Sequence, residues 1–192
     1  MKVIFLDHDG VICLSNNWGS RWKKQREVRK KLTEDERSLP VHARFDNIDR
    51  KAIKVLNEII EKTNAEIVVT SDWRNWCTVD EMSEYYESQG IVKKPISFTK
   101  FIQDCDYEED FSWSREWDLE QTRSIEIKQY LREHPEITHW VAVDDLNMGK
   151  KIMSYGMEYV RDWALDNFVL TRYKREGIKQ CGIKEKIISH LK

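Results

Sequence analysis

Three short apolar runs, each followed by carboxylate or hydroxyl residues, constrain the fold of this 192-residue chain more than any other feature. Runs this short and rich in β-branched residues, without alternating polar positions, are typical of strands buried on both faces of a parallel sheet. They are residues 3–6 before Asp7, residues 67–69 before Thr70-Ser71, and residues 141–143 before Asp144-Asp145.

Helical patterns lie between these runs. A helix with an apolar face from Ala52 to Ile60 is predicted after Asp46 as its N-cap, and a capping box at Thr78 and Glu81 begins a second helix. A third is predicted from Thr122 to Pro135, with a further strand at 168–171 and a closing helix at 183–191. Strands alternating with helices favour an α/β fold, a three-layer Rossmann-like domain with a mainly parallel sheet spanning residues 1–192.

The net charge of −2 conceals two strongly polarised segments. Residues 21–31 contain seven Lys or Arg and one Glu, whereas residues 104–120 contain eight Asp or Glu and one Arg. We interpret them as parts of two insertions on the α/β frame, a basic Trp-containing flap at 14–45 and an acidic insertion at 100–120. Both are expected near the carboxyl edge of the sheet, where open α/β folds bind ligands.

Composition excludes some classes of protein. No apolar run approaches the ~18 residues that a membrane span requires, and the apolar stretch before Asp7 is too short for a signal peptide. The four cysteines lie far apart without a CxxC pair, which indicates neither a zinc site nor a disulfide framework. We therefore predict a cytoplasmic protein with no membrane partner; the sequence does not determine its oligomeric state.

Asp7 and Asp9 follow the first predicted strand and are separated by one residue, so both side chains leave the strand on the same side. Gly10 then allows a sharp turn and a close approach to a ligand. Neighbouring carboxylates push their pKa values apart, which lets one stay ionised while the other holds a proton. Such a pair suits attack on phosphorus with protonation of the leaving group; the alternative is two strand-end carboxylates in a turn.

The other predicted strand ends add groups suited to phosphoryl transfer. The hydroxyl and backbone N–H of Thr70 can hold a phosphoryl oxygen, and Asp144 or Asp145 can complete a site for a hard cation with Asp7. Mg²⁺ prefers oxygen ligands and is usually held by one or two carboxylates together with phosphate. Taken singly, each of these residues also fits a strand-end or helix cap.

A phosphoryl site also needs a cation, and two residues of the third predicted helix compete for this role. Arg123 lies in the predicted first turn, at the carboxyl edge of the sheet. Lys128 lies five residues further along, roughly 7.5 Å deeper at ~1.5 Å per residue. This geometry favours Arg123, although Arg123 can equally pair with the neighbouring acidic segment.

The order of these motifs resembles that of the haloacid dehalogenase (HAD) superfamily of phosphohydrolases. The strings FLDHDGVI, IVVTSDWR, TRSIEIKQYL, VAVDD and FVLTRYKREGI look like the small branch associated with RNA-repair proteins. The resemblance covers residues 1–13, 46–75 and 121–180 and neither insertion. The large cap domain of many relatives has no counterpart here, which leaves the substrate open.

The resemblance also implies a role for each residue. Asp7 would be the nucleophile that forms an aspartyl-phosphate, and Asp9 the general acid and base. Thr70 would bind the phosphoryl group, with Arg123 or Lys128 as the cation. The expected cofactor is Mg²⁺, and the metal-site residues are Asp7, Asp9, Asp144 and Asp145.

The basic flap offers a hypothesis about the substrate. Trp18, Trp22 and Lys23 belong to a stretch that interleaves aromatic and basic residues, a combination that stacks bases and follows phosphates on single-stranded nucleic acids. We expect a nucleotide, a nucleic-acid end or another phosphorylated small molecule, with Ser71 and Arg74 also facing it. Alternatively, the flap is a solvated helix, or it docks on the acidic insertion as a lid.

Two other functions fit the same α/β class. A phospho-accepting signalling module also places carboxylates, a Thr and a basic residue at strand ends, but its acceptor would not be expected at Asp7. A non-catalytic nucleic-acid-binding module would keep the fold without turnover, since fold alone does not establish activity.

Overall fold

The computed structural model describes residues 1–31, 33–101, 119–149, 151–154 and 157–192. Residues 102–118, which make up most of the predicted acidic insertion, lie outside the described residues. A central sheet of five parallel strands organises the rest. In spatial order its strands are β3 (Pro95–Phe98), β2 (Glu66–Val69), β1 (Lys2–Leu6), β4 (His139–Asp144) and β7 (Phe168–Leu170).

Helices cover both faces of this sheet, which confirms the predicted three-layer α/β class. One face packs Ile4 and Leu6 of β1 against the helix that carries Leu56, and the opposite face packs Phe5 against the helix that carries Ile127. Residues 3–6 of β1 are fully buried, which explains their unbroken apolar run. The helices are α1 (Ser20–Val28), α2 (Val41–Arg44), α3 (Arg50–Thr63), α4 (Val79–Gln89), α5 (Leu119–Glu133) and α6 (Ile183–His190).

Helix boundaries differ from the prediction in two places. Asp49, and not Asp46, caps α3, since its carboxylate accepts hydrogen bonds from the backbone N–H groups of the first helical turn. Thr122 is not the N-cap of α5, because it lies inside the described helix, Leu119–Glu133. The capping box of Thr78 and Glu81 at the start of α4 is confirmed.

Some elements were not predicted from the sequence. Strand β3 is short and only partly buried, so it carries no apolar run. An antiparallel hairpin of β5 (Lys151–Ser154) and β6 (Met157–Val160) follows β4. No helix in the described part of the chain is both long and apolar enough to cross a bilayer.

Candidate active site

The sheet register brings the three predicted strand-end motifs together. Leu6 pairs with Val69 on one side and with Val143 on the other, so Asp7, Thr70 and Asp144 all follow at the same carboxyl edge. An open cleft of ≈ 400 Å³ lies at this edge. Its lining residues are Asp7, Asp9, Trp18, Arg21, Asp46, Ser71, Asp72, Trp73, Leu119, Arg123, Asp145, Leu146 and Lys174.

The Arg123 guanidinium lies at the centre of the acidic cluster. Its Nη1 is 3.1 Å from Asp7 Oδ1 and 3.0 Å from Asp144 Oδ2, and its Nη2 is 3.0 Å from Asp72 Oδ1. Asp7, Asp144 and Arg123 are all buried, whereas the Asp72 side chain is largely exposed. Arg123 therefore ties the ends of β1 and β4 to the residue after Ser71, and it is the predicted cation that the structure brings to the cleft.

The buried carboxylates carry more negative charge than Arg123 can balance. Burial raises the pKa of Asp7, and the nearby Asp144 carboxylate raises it further, while Arg123 lowers it. The pKa of Asp144 is also raised, chiefly by burial, and Arg123 opposes that shift. Asp145, at the end of the same strand, is only partly buried, and its Oδ2 pairs with the Nζ of Lys174 at 3.1 Å. A further cation bound here would stabilise the ionised carboxylates.

Three of the predicted metal ligands have a suitable arrangement. Asp7, Asp144 and Asp145 each offer a carboxylate oxygen, and these oxygens all lie within 4.8 Å of one another. Hard oxygen donors with excess negative charge are the environment that Mg²⁺ prefers, so these residues fit the ion. The Asp9 carboxylate is not part of this group of oxygens among the described residues.

Asp9 is instead held by an aromatic side chain that the motifs did not single out as its partner. The indole Nε1–H of Trp73 donates a hydrogen bond of 2.9 Å to Asp9 Oδ2. The Trp73 ring is itself fixed by stacking on Phe45 and on His8, with ring centroids 4.7 and 4.5 Å apart. Burial raises the pKa of Asp9, and the Trp73 hydrogen bond opposes this rise. Asp9 is thus fixed in orientation in a partly buried place.

His8, the residue between the two Asp residues, points away from the cleft. Its Nε2 lies 2.7 Å from the hydroxyl of Tyr86, and its ring is fully buried. Burial lowers the pKa of His8 to about 3, and the nearby Arg123 charge lowers it further. The imidazole is therefore neutral at physiological pH and serves the packing of Trp73.

Two glycines allow the loop of residues 7–14 to fold tightly against its neighbours. Gly10 has a positive φ of 74°, and a Cβ there would overlap the Asp145 carboxylate. Gly177 has a positive φ of 53°, and a Cβ there would overlap the backbone carbonyl of Val11. The Ile178 N–H donates to that same carbonyl. The C-terminal string FVLTRYKREGI thus braces the loop that carries Asp7 and Asp9.

The backbone N–H of Thr70, at the end of β2, does not have the role predicted for it. The Thr70 N–H donates to the Leu6 carbonyl at 3.0 Å, so it belongs to the sheet and is not available for a phosphoryl oxygen. Thr70 itself is buried, and Ser71, which lines the cleft, accepts a hydrogen bond from the backbone N–H of Trp73. Ser71 is the hydroxyl of this motif at the cleft surface.

The structure does not bring Arg74 to the cleft. Its buried guanidinium pairs with Glu126 of α5 at 2.6 Å, and it donates to Thr99 Oγ1 and to the Thr70 carbonyl. The 3₁₀ helix over Asp72–Trp76 turns this side chain into the space between the sheet and α5. A lone guanidinium there would be costly to bury, and Glu126 compensates its charge.

Lys128 also lies away from the cleft. Its Nζ donates to the backbone carbonyl of Asp162 at 3.4 Å. This placement agrees with the greater depth expected for Lys128 along α5. Of the two cations predicted for the phosphate, Arg123 lines the cleft and Lys128 does not.

The predicted basic flap reaches the cleft through the start of α1. Trp18 and Arg21 line the cleft, and Asp46 anchors this end by accepting hydrogen bonds from the Gly19 and Arg21 N–H groups. Trp22 and Lys23 are exposed and are not among the described residues that line the cleft. Asp46 therefore caps α1, which lies 25 to 27 residues earlier in the sequence. It does not cap α3, the helix that follows it and that was predicted.

Sequence reasoning missed several residues that line the cleft. Asp72, Arg21 and Lys174 had no assigned role, yet each contributes charge to its wall. A carboxylate directly after Thr70-Ser71 was the available signal for Asp72. Lys174 gave no local signal, because it reaches the cleft only when the segment after β7 folds against residues 10–15.

A comparison with protein families matches residues 3–179 to the family described as "HAD domain in Swiss Army Knife RNA repair proteins". Searches of curated proteins and of solved structures give no match. The family match includes all three strand-end motifs, α5 and the bracing segment at Gly177. The chain belongs to this family of HAD domains, as the motif order and the α/β fold had indicated.

Proposed function

We propose that this protein is a Mg²⁺-dependent phosphohydrolase that works through an aspartyl-phosphate and acts on a nucleotide or the phosphorylated end of a polynucleotide. HAD membership supports a phosphohydrolase-type function. The observation that carries the proposal is the cluster of Asp7, Asp144 and Arg123 at an open cleft, with Asp9 beside it in a fixed orientation.

In the first step the ionised Asp7 carboxylate attacks the phosphorus atom of a phosphate monoester. The bond between phosphorus and Asp7 Oδ forms while the ester P–O bond breaks, and Asp9 gives its carboxyl proton to the departing oxygen. The raised pKa of Asp9 supports this acid role. The Trp73 hydrogen bond fixes the orientation of the Asp9 carboxyl group beside the cleft.

In the second step water attacks the phosphorus of the aspartyl-phosphate. Asp9, now ionised, accepts a proton from this water, and the bond between phosphorus and Asp7 breaks to release inorganic phosphate. Asp7 is then ionised and Asp9 protonated again, so the enzyme returns to its starting state.

The charge of the phosphoryl group is balanced by Arg123 and the metal site. Arg123 faces Asp7 directly, so it would contact the non-bridging oxygens of a group attached there, together with the hydroxyl of Ser71, which lines the cleft. Mg²⁺ held by Asp7, Asp144 and Asp145 would neutralise phosphate charge in both steps.

The substrate assignment rests on the cleft wall and on the family. Trp18 and Arg21 bring an aromatic ring and a cation to the cleft, and the Lys174 Nζ lies 5.5 Å from the Trp18 ring centroid. These groups suit a base and a phosphate, and the family description names RNA repair proteins. In this proposal residues 14–45 form a substrate flap on a single domain spanning residues 1–192.

The test is a turnover assay with a chromogenic aryl phosphate, first with Mg²⁺ and then with excess EDTA. We expect phosphate release that EDTA abolishes and Mg²⁺ restores. 5′-Mononucleotides, 3′-phosphorylated oligonucleotides and sugar phosphates are then compared side by side. Activity that persists in EDTA would contradict the metal assignment. No turnover of any of these substrates with Mg²⁺ would favour a phospho-accepting or non-catalytic module instead.

A further inference from the structure

A second groove lies beside α1. None of its described lining residues also lines the cleft at the sheet edge. The volume of the groove is ≈ 390 Å³. It contains four cationic side chains and no carboxylate among its described lining residues. The lining residues are Trp22, Gln25, Arg26, Arg29, Lys30 and Lys31.

The groove contains a buried amide that has no partner among the described residues. Gln25 is only 2% exposed, and neither its Oε1 nor its Nε2 has a hydrogen-bond partner in the described part of the chain. The Nε of Arg29 in the same groove is also buried and has no hydrogen-bond partner among the residues that the structure describes, although Arg29 Nη2 lies 3.6 Å from Glu36 Oε1. Buried polar groups are nearly always satisfied, so unpaired ones call for an explanation. An amide that offers an acceptor and donors side by side is suited to the edge of a nucleobase.

Trp22 gives the groove an aromatic surface. Its side chain is 47% exposed, and the guanidinium of Arg21 lies 4.9 Å from the centre of its ring. Exposed aromatic rings among cations form the usual surface for single-stranded nucleic acids, because every base can stack and every phosphate is attracted. The cations alone would suit any anion, but Trp22 and the Gln25 amide add features that favour a base.

Helix α1 links this groove to the catalytic cleft. Arg21 lines the cleft, whereas Gln25 lines the groove four residues further along the same helix, and Arg29, the C-cap residue directly after the helix, lines it eight residues further along the chain. At ~1.5 Å per residue these positions are roughly 6 to 12 Å apart along the helix axis. With phosphates spaced by ~3.4 Å along a stacked strand, that distance corresponds to roughly two to four nucleotides.

We infer that the α1 groove is a subsite for the nucleotides next to the phosphorylated end of a single-stranded polynucleotide. This inference rests on the proposed function, in which the terminal phosphate occupies the cleft. Arg26 and Lys30 attract the backbone, Trp22 stacks a base, and the Gln25 amide bonds a base edge after the long basic side chains have moved outward.

The first experiment measures binding without catalysis. A labelled single-stranded octanucleotide without a terminal phosphate, prepared as RNA and as DNA, is titrated with the protein at several salt concentrations. We expect the Arg26→Ala/Lys30→Ala variant to bind more weakly and to lower the slope of log K against log[salt] by ~1.4. The matched control, Lys54→Ala/Lys186→Ala, loses the same charge on α3 and α6. An equal effect of both double variants would overturn the subsite, as would no binding by the wild type.

The second experiment isolates the amide. Gln25→Leu removes the unpartnered polar atoms with little change in size, so we expect a higher midpoint of thermal unfolding together with ~10-fold weaker binding of the octanucleotide. A purely structural Gln25 would change stability and leave binding alone. Unchanged binding therefore overturns the role of the amide.

Turnover distinguishes failure of the groove from failure of the catalytic proposal. The expected result is a kcat/KM that rises from a mononucleotide to a phosphorylated tetranucleotide and then levels off. The Arg26→Ala/Lys30→Ala change should reduce this gain relative to aryl phosphate turnover. If aryl phosphate is turned over but kcat/KM does not rise with oligonucleotide length, the subsite alone is overturned. If no substrate is turned over, the proposed function is overturned, and octanucleotide binding still tests the groove.

Discussion

Replacing Arg123 by Ala tests the electrostatic core of the site. The guanidinium is buried and contacts Asp7 and Asp144 at 3.1 and 3.0 Å, with both carboxylates buried as well. Removing one partner of a buried ion pair leaves uncompensated charge and typically costs about 3–5 kcal/mol. We expect the free energy of unfolding to fall by that amount in EDTA, where no divalent ion replaces the lost charge.

The same change should reduce turnover. Loss of a group that stabilises charge in the transition state typically lowers kcat by ~10²–10³-fold. Arg123→Lys keeps the charge but loses the planar fork that reaches several carboxylates, so we expect an intermediate loss. Urea unfolding followed by the fluorescence of the eight Trp residues reports stability, and aryl phosphate hydrolysis with Mg²⁺ reports activity.

Lys128→Ala is the matched control on the same helix. Within the described residues Lys128 donates only to the Asp162 backbone carbonyl, at 3.4 Å, so its loss should change the free energy of unfolding by less than ~0.5 kcal/mol and leave turnover unchanged. If Lys128→Ala abolished activity while a folded Arg123→Ala protein kept it, the assignment of the phosphate-binding cation would be refuted.

Two further predictions concern the loop of residues 7–14. Gly177→Ala should lower the free energy of unfolding by at least ~2 kcal/mol, because the new Cβ adds an overlap with that loop to the strain of a positive φ. Gly90 also has a positive φ, but a Cβ added there would have no described atom within 4 Å. Gly90→Ala should therefore lower the free energy of unfolding, measured with urea, by only ~1 kcal/mol. Equal losses of stability in the two variants would contradict the bracing role of Gly177. Trp73→Phe removes the hydrogen bond to Asp9 and should reduce kcat ~10–100-fold in the aryl phosphate assay. The control Trp76→Phe should leave kcat unchanged. An unchanged kcat for Trp73→Phe would show that Asp9 does not need the Trp73 hydrogen bond.

The sheet and the edge that carries the candidate site could be predicted because they depend on local signals. Strand β1 is buried on both faces, so its sequence is an unbroken apolar run, and the polar residues begin where the strand ends. Strand β3 starts at Pro95 and is partly exposed, so it has no comparable signal. Residues that meet through the strand register were therefore predictable from strand ends alone.

Contacts across long stretches of chain were not predictable. Trp73 and Asp9 are 64 residues apart, and the sequence gives no sign that an indole N–H reaches that carboxylate. Asp46 is a reasonable helix cap in sequence, but its carboxylate caps α1 because the flap folds back over it. Arg74 follows the strand-end motif of β2, whereas Arg123 lies on α5. Only tertiary packing pairs Arg74 with Glu126 and brings Arg123 to the cleft.

The most direct test of the proposed mechanism is to trap the aspartyl-phosphate. An aryl phosphate has a leaving group that needs little protonation, so in Asp9→Asn the first step should proceed while hydrolysis of the intermediate becomes slow. After acid quenching, mass spectrometry should find one phosphoryl group on the peptide that contains Asp7. The Asp7→Asn/Asp9→Asn protein should carry no phosphoryl group, and its circular dichroism spectrum should match that of the native fold. A phosphoryl group on another residue, or undiminished turnover by Asp7→Asn, would contradict the account.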